Sequence, residues 1–566
     1  MALFARATSI FIVSYKNYSK LILPTVKSKT WKNFPSKSTF FGHSILNVRF
    51  SHSDQTKKGE PETFVTFDNF LKERRDEAKR SILVQVNTEN SLKDLHFYCS
   101  TFGEIKSMFY YVLSDNKSHH VLVEFEKVES VDAILKSATH IKLDQVIPVH
   151  SSMLYFRKLK AKHLHAPKLK FPVKYAKLPV KDKHFLEVLQ NSKTAAQQVQ
   201  KCYSILKLDD LGLRLRFQTA HQLERCFSGI FPDMEALPFG SSVNGFGKMG
   251  CDLDLYINFQ SNRSENEESR LVFQTKRLHD NERHQCSDFV RIIGDLIEIF
   301  APGIFNVTKI LKARVPIVKF DHRITGVECD LSLSNMSAIY MSELLYIYGE
   351  IDWRVRPVIF TIRKWAQSQG ITSGNPGGYI TNFSLTLLII FYLQQKKVLP
   401  TLLELRSKAL LNDLRITDTN VDCTFLRDIS MLRNIEPHGE DPYALLRGFF
   451  DYYAGFDFKV DAVCLRQGAV LRKKDSSPIY ICNPLEPSLN VSRNVTYREM
   501  ENFRTGCRDA AWRLENAEKR HFDNSWGIIS LFVHKVRNTN PGLNVADVMR
   551  EREPESEESD FILASK

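Results

Sequence analysis

The pattern of apolar and polar positions predicts two short β-strands that carry acidic side chains. Residues 251–257 alternate, so that Asp252 and Asp254 share one face of a predicted strand while the apolar residues share the other. Residues 327–334 alternate in the same way and place Asp330 on a polar face. We therefore expect three carboxylates on neighbouring strands, all pointing away from the core.

The surrounding pattern predicts an α+β catalytic unit. An apolar run at 315–320 precedes the second strand, and the polar link between them predicts a hairpin loop. Residues 261–288 are polar and predict an excursion from the sheet, and residues 289–300 predict an amphipathic helix. Further helical stretches, at 187–230 and beyond residue 335, are separated by proline and glycine. The carboxylate-bearing sheet is expected to face a helical domain across a cleft.

Residues 81–150 predict a smaller α/β module. Its order is strand, helix (91–100), strand (107–113), strand (119–126), helix (128–138) and strand (145–150). This order resembles an RNA-recognition motif, in which aromatic side chains on the sheet stack on bases. Here the stacking positions are Leu83, His120 and Leu122, so the aromatic platform is degenerate. Two alternatives remain for this sheet: it contacts RNA, or its apolar surface pairs with protein, including a second copy of the chain.

The acidic strand follows a glycine-rich turn, and together they indicate a site that binds divalent cations and phosphate. Two carboxylates this close repel each other unless a cation lies between them. Oxygen ligands suit Mg²⁺ or Mn²⁺, and Mg²⁺ is usually held by one or two carboxylates plus substrate phosphates. Residues 240–250 contain four glycines as well as Ser241 and Ser242, and such a turn offers backbone N–H and hydroxyl groups to a phosphate. With Asp330, the site can hold two cations roughly 3.5–4 Å apart.

The motifs resemble those of a known enzyme family. Gly240-Ser241 followed by Asp252-Leu253-Asp254, with Asp330 downstream, resembles the DNA polymerase β-like nucleotidyltransferases, in the branch of noncanonical poly(A) and poly(U) polymerases. Arg363-Lys364-Trp365-Ala366 and residues 380–385 and 478–486 resemble the same branch. The resemblance spans about residues 195–505. It implies a palm domain with a mixed sheet, then a helical poly(A)-polymerase-associated domain, and ATP-dependent extension of RNA 3′ ends.

The resemblance also implies roles for individual residues. The expected ligands of Mg²⁺ or Mn²⁺ are Asp252, Asp254 and Asp330. The expected nucleotide contacts are Gly240, Ser241, Ser242, Asn335, Arg363, Asn382 and Phe383. Asn335 corresponds to a residue that touches the ribose, and Phe383 to an aromatic ring that stacks on the base. Phe383 also starts an apolar helix, so a role in the core is its alternative.

The chain departs from the family pattern at positions that bear on the nucleotide. Relatives carry lysine where Arg363 and Gln367 stand, so one positive charge is kept in a different geometry and one is lost. Neighbouring Lys364 is a candidate replacement. Uridylyl-transferring relatives place histidine where Leu489 stands, and an apolar side chain leaves room for a purine, which favours ATP. Uridylyl transfer and a catalytically inactive RNA-binding scaffold are the alternatives, and retention of all three carboxylates argues against the scaffold.

The composition gives the chain an excess of positive charge. The net charge of +13 favours a polyanionic partner such as RNA, although a membrane surface fits the same number. The chain contains 10 cysteines without a Cys-x-x-Cys spacing, which argues against a zinc site or a disulfide framework and indicates a reducing compartment. Its longest apolar run, 383–393, is too short for a membrane-spanning helix.

The two ends of the chain differ from the rest. Residues 1–53 lack acidic residues and mix Arg and Lys with Ser, Thr and aromatic residues, which is typical of a transit peptide for the mitochondrial matrix; a basic tail is the alternative. The expected organisation is 1–53 transit peptide, 60–152 RNA-recognition-motif-like module, 153–190 basic linker, 191–340 palm, 341–505 helical domain, and 506–566 C-terminal helix and acidic tail. The linker either is simply solvated or tracks single-stranded RNA.

Overall fold

The computed structural model describes residues 64–113, 117–139, 150–157, 173–176, 182–259, 281–374, 377–417, 419–432, 439–518 and 526–532. The predicted transit peptide and the acidic tail lie outside these residues. So do most of the basic linker, most of the excursion at 261–288 and nearly all of the strand predicted at 145–150.

The described residues form an α+β fold. The helices are α1 (Phe67–Lys79), α2 (Leu92–Ser100), α3 (Val128–Ser137), α4 (Asp182–Gln190), α5 (Ala195–Leu206), α6 (Asp210–Phe227), α7 (Glu282–Phe300), α8 (Met336–Ile351), α9 (Val355–Ser368), α10 (Asn382–Gln395), α11 (Leu402–Ser407), α12 (Pro442–Gly455), α13 (Tyr497–Glu518) and α14 (Ile529–Phe532). The strands are β1 (Ser81–Val86), β2 (Ile105–Val112), β3 (His119–Phe125), β4 (Met153–Tyr155), β5 (Val173–Tyr175), β6 (Glu235–Phe239), β7 (Leu253–Asn258), β8 (Ile304–Ile310), β9 (Ile317–His322), β10 (Val327–Ser332), β11 (Asp461–Cys464), β12 (Ala469–Arg472) and β13 (Ile481–Cys482).

The first sheet confirms the order of a small α/β module. Its strands lie in the order β4-β1-β3-β2-β5, and the side chains on one of its faces pack against α2 and α3. The edge strands β4 and β5 pair in parallel with β1 and β2. Both come from the segment that the sequence predicted to be an extended linker, and α4 begins before its end. That prediction was wrong at these places, because the short segments satisfy the backbone groups that the edges of β1 and β2 would otherwise leave unpaired.

The other face of this sheet is covered by the palm. Leu83 and Leu122, two of the three positions considered for base stacking, are buried with Phe109 and Tyr111 against Leu211 and Leu215 of α6. The third position, His120, is buried and its ring stacks on that of Tyr111, with 5.4 Å between the centroids. This face therefore contacts protein within the chain, and neither base stacking nor dimerisation through it is available.

The second sheet forms the palm. Its order is β6-β7-β10-β9-β8, in which β7 and β10 are parallel and the other neighbours are antiparallel. The hairpin of β9 and β10 agrees with the prediction. Alternate residues such as Leu253, Leu255, Cys329 and Leu331 are buried against α6 and α7, so the intervening residues point to the opposite face. The helix α7 starts at Glu282, inside the predicted excursion, because Asn281 caps it by accepting from the N–H of Arg283 at 2.9 Å.

The helical domain packs around α10, which is buried along most of its length. The predicted domain boundaries at 340/341 and 505/506 fall inside α8 and α13. In α13, Phe503 and Leu514 stand on either side of the second boundary and belong to one apolar core. The structure is therefore continuous across both positions. Among the described residues, no helix combines the length and the apolar character needed to cross a bilayer.

Candidate active site

A tight glycine turn leads from β6 to the acidic strand. Gly240 has φ +69, and a Cβ atom there would lie 2.3 Å from Asp254 Oδ2, so only glycine lets the turn pass this carboxylate. The N–H of Gly240 donates to Ser342 Oγ at 2.7 Å, and the hydroxyl of Ser242 donates to the carbonyl of Asp252 at 3.1 Å. These bonds hold the turn against α8 and against the start of β7.

The structure brings the three predicted carboxylates together. Asp330 on β10 is the register partner of Asp254 on the parallel strand β7. Asp252 directly precedes β7 instead of lying within it, and it is exposed. Because alternate residues of both strands are buried below, Asp254 and Asp330 share the open face of the sheet.

The charges of this cluster are not balanced within the site. Burial, followed by the negative charges of Asp330 and Asp252, raises the pKa of Asp254 to about 7. A divalent cation would remove this repulsion, so the donor set fits Mg²⁺ or Mn²⁺ held by two carboxylates and substrate phosphates. No group of three or more His, Cys, Asp or Glu side chains in the described part of the chain is arranged to enclose a metal ion. Asp254 and Asp330 lie on the open face of the sheet, where substrate phosphates could add ligands to a bound cation.

A lysine that the sequence interpretation missed contacts the cluster. Lys319 on β9 is the register partner of Asp330, and its Nζ atom lies 2.6 Å and 2.7 Å from the two oxygens of that carboxylate. The predicted loop at 321–326 would place Lys319 opposite Glu328; in the structure β9 extends to His322, and this register places Lys319 opposite Asp330.

Arg363 is tied to the glycine turn by its guanidinium group. Its Nη1 atom donates to the carbonyl of Phe246 at 2.7 Å, and burial lowers its pKa to about 10. Lys364, the predicted replacement charge, instead forms an ion pair with Asp182 of α4 at 3.1 Å. Burial and then the charge of Arg363 lower the pKa of Lys248 in the turn, and Asp252 acts on it in the opposite direction, so Lys248 lies within electrostatic range of both residues. Lys248 is the second cation of this corner, and sequence reasoning had passed over it.

The other predicted nucleotide contacts lie at the start of α8 and at the start of α10. Asn335 is half-buried and stands at the N-cap of α8, without a side-chain capping bond. Ser337, on the first turn of α8, donates to Glu486 at 3.2 Å, so the start of α8 contacts the loop that carries Leu489. Leu489 is half-buried, and its N–H closes a turn onto the carbonyl of Glu486 at 2.9 Å.

Asn382 and Phe383 stand at the start of α10. Thr381 caps this helix by accepting from the N–H of Ser384 at 3.0 Å. Asn382 is exposed, whereas Phe383 is half-buried and packs against the helical core. Among the described residues, no hydrogen bond joins either residue to the three carboxylates. Phe383 thus packs against the apolar core, and part of its ring remains accessible.

The fold and the site define a class of protein. A mixed palm sheet with three carboxylates beside a glycine-serine turn, followed by a helical domain, is the architecture of a nucleotidyltransferase. Residues 196–350 match the family described as "Poly(A) RNA polymerase, mitochondrial-like, central palm domain", residues 66–139 match the RL domain, and residues 444–488 match the "Cid1 family poly A polymerase".

Whole-chain relatives narrow this class. The mitochondrial poly(A) RNA polymerase of Drosophila melanogaster is 40% identical over 510 residues, covering 86% of this chain and 83% of the relative. The human protein of that name is 35% identical over 486 residues, covering 83% and 82%. A crystal structure of mtPAP in complex with UTP superposes with a TM-score of 0.75 at 35% identity, over 83% of this chain and 100% of that one. The chain belongs to the family of mitochondrial poly(A) RNA polymerases, which are polynucleotide adenylyltransferases.

Proposed function

We propose that this protein adds adenylyl groups from ATP to the 3′ ends of RNA in the mitochondrial matrix, using Asp252, Asp254 and Asp330 with Mg²⁺ or Mn²⁺. The observation that carries the proposal is the pairing of Asp254 with Asp330 across parallel strands, beside Asp252 and the turn that starts at Gly240. Family relatives at 35–40% identity support the reaction class.

The proposal gives the residues of the site separate roles in binding metal ions and the triphosphate. Bound divalent ions supply positive charge that offsets the charge of the phosphates and activates the 3′-hydroxyl. Asp252 and Asp254 would hold these ions, and Asp330 would complete the ligand set near the 3′-hydroxyl of the RNA. Gly240 N–H and the Ser242 hydroxyl are used inside the turn, so Ser241, with no hydrogen bond to another described residue, is the one free to contact the triphosphate. Arg363 and Lys248 take the β and γ phosphates.

Base selection is assigned to the loop beside α8. The apolar side chain of Leu489 carries no group able to recognise the edge of uracil, and its loop contacts the first turn of α8, which follows Asn335. Asn335 contacts the ribose, and Asn382 and Phe383 face the base. Crystal structures of mtPAP in complex with ATPγS and with UTP are among the similar structures, so uridylyl transfer is the alternative to be tested.

A nucleotide incorporation assay tests the proposal. The purified full chain is incubated with an oligo(A) primer, Mg²⁺ or Mn²⁺ and each of the four nucleoside triphosphates. We expect ATP to be preferred, and we expect Asp254→Asn to lower incorporation by roughly a thousand-fold because the negative charge that holds the cations is lost. Preference for UTP would instead establish the alternative.

The matched control is Asp321→Asn. Asp321 lies on β9, on the same face of the sheet as Lys319, but its carboxylate accepts from Asn306 Nδ2 at 2.7 Å and is not one of the three proposed metal ligands. This variant should retain the activity of the wild type. If Asp254→Asn also retained it, with pyrophosphate still released, the assignment of the site would be wrong.

Self-association is the remaining part of the proposal. The protein forms a homodimer through the surface of the small module that the palm leaves open. Two aromatic side chains of α2 support this, because Phe97 and Tyr98 are 42% and 41% exposed on the module. Aromatic residues are enriched at protein interfaces, whereas the covered sheet face cannot take part.

A further inference from the structure

Lys319 occupies both oxygen atoms of a carboxylate that the proposed reaction needs. Its Nζ atom lies 2.6 Å from Asp330 Oδ1 and 2.7 Å from Oδ2. The two residues face each other on adjacent antiparallel strands, and their side chains are 43% and 24% exposed. An ammonium group in this position fills the ligand atoms that a divalent ion would use.

The rest of the cluster has no such partner. In the part of the chain that the structure describes, no ion pair joins Asp252 or Asp254 to a basic side chain. The charge of Lys319 acts on all three acids, because Asp252 and Asp254 also lie close enough to interact with it. Three carboxylates and one ammonium leave an excess of negative charge that an entering divalent ion can neutralise only in competition with Lys319 at Asp330.

We infer that Lys319 is a positioning residue that serves as a built-in counter-ion: it holds the Asp330 carboxylate beside Asp254 in the free enzyme and yields it when metal and nucleotide arrive together. The inference rests on the proposed function, since it assumes that Asp330 is a metal ligand. One consequence is that the free protein binds divalent ions weakly at Asp330, so that the second ion enters with the substrate.

The alternative is a cross-strand ion pair that only supports the sheet. The two roles predict opposite effects of removing the charge. A supporting pair, once broken, loosens the site and weakens metal binding. If Lys319 competes with the metal ion, its removal leaves the Asp330 oxygens free and strengthens metal binding.

Binding of Mn²⁺ alone to the full-length protein separates the two roles. Free hexaaquo Mn²⁺ is measured by electron paramagnetic resonance in titrations without nucleotide or RNA. We expect Lys319→Gln to bind Mn²⁺ about ten-fold more tightly than the wild type, and we expect Lys319→Arg to restore the weaker binding. Mn²⁺ should also raise the Tm of Lys319→Gln by more than it raises the Tm of the wild type.

Lys309→Gln is the matched control. Lys309 lies on β8 of the same sheet and also contacts two carboxylate oxygens, Asp295 Oδ1 at 2.5 Å and Glu298 Oε2 at 2.9 Å, but these belong to α7 on the other face. This variant should bind Mn²⁺ as the wild type does. Unchanged or weaker binding in Lys319→Gln would overturn the inference.

A further variant distinguishes failure of this inference from failure of the proposed function. Asp254→Asn should lose most Mn²⁺ binding if the carboxylates form the metal site. If Asp254→Asn bound Mn²⁺ like the wild type, the proposed site itself would be wrong. If Asp254→Asn lost binding while Lys319→Gln did not gain it, only the role given to Lys319 would fall.

Discussion

At the scale of single residues, the corner formed by Lys248 and Arg363 replaces a lysine pair with charges from two elements. Lys248 comes from the glycine-rich turn, and Arg363 comes from α9 and is anchored to Phe246. Burial and then the charge of Arg363 lower the pKa of Lys248, and an anion bound between the two side chains would offset this repulsion. In the proposed reaction, the triphosphate of ATP is that anion.

We therefore expect Lys248→Ala to raise the KM for ATP by about ten-fold, because one charge-assisted contact to the triphosphate is lost. The kcat should change much less, since the carboxylates are untouched. Steady-state incorporation on oligo(A) at varied ATP measures both constants. Lys248→Arg, which keeps the charge, serves as the control, and an unchanged KM in Lys248→Ala would remove this residue from the nucleotide site.

At the scale of elements, the hairpin of β9 and β10 joins the site to the small module. His322, at the end of β9, is buried; its Nδ1 atom accepts from the N–H of Thr325 at 3.2 Å. Burial and then the nearby His120 of β3 lower the pKa of His322 to about 4. The unfolded chain binds this proton near pH 6.5, so the stability contributed by neutral His322 is present above that pH and is lost as pH falls.

We predict that His322→Gln reduces the loss of stability between about pH 7.5 and about pH 5.5 by about 1 kcal/mol. Urea unfolding at the two pH values measures the difference for each variant. His184→Gln is the control, because the side chain of His184 is 65% exposed on α4. Equal pH dependence in the wild type and in His322→Gln would show that the buried histidine does not titrate during unfolding.

In these elements, the alternation of each strand was predictable from the sequence, whereas strand register and helix packing were not. The period of two placed Asp254 and Asp330 on one face correctly, because alternation is a local property of a strand. It could not show that Lys319 faces Asp330, which depends on hairpin register, nor that Lys364 turns away to Asp182, which depends on packing of distant helices. Likewise, the sequence indicated that Leu83 and Leu122 lie on an apolar sheet face. It could not show that α6 packs against this face, because that contact depends on tertiary structure.

At the scale of the whole molecule, the module is an integral layer of the enzyme. Arg214 of α6 forms ion pairs with Glu124 of β3 at 2.9 Å and with Glu77 of α1 at 2.7 Å, beside the apolar contact. Such buried charges are costly unless paired, so the three elements fit only in this arrangement. Deleting the module would expose these charges and the apolar side of α6, and dimerisation must therefore be tested by surface substitution.

We predict that Phe97→Ser weakens self-association at least ten-fold, because an exposed aromatic anchor is removed from the open side of the module. Sedimentation velocity over a range of protein concentrations measures the dissociation constant. Trp512→Ser on α13 is the control, since that ring is 65% exposed on a different part of the molecule. A dimer that persists unchanged in Phe97→Ser would place its interface elsewhere.

The helix α1 gives the chain a property of its own. Phe67 packs on Tyr346 of α8, with 5.3 Å between ring centroids, while the strand that follows α1 opens the small module. The residues before α4 thus contact the residues from α4 onward at two places: α1 packs on α8, and the first sheet packs on α6. Because β5 pairs with β2, a single backbone cut after residue 176 and before residue 182 would leave the whole first sheet in one polypeptide, which would still contact the other through Tyr346 and through α6.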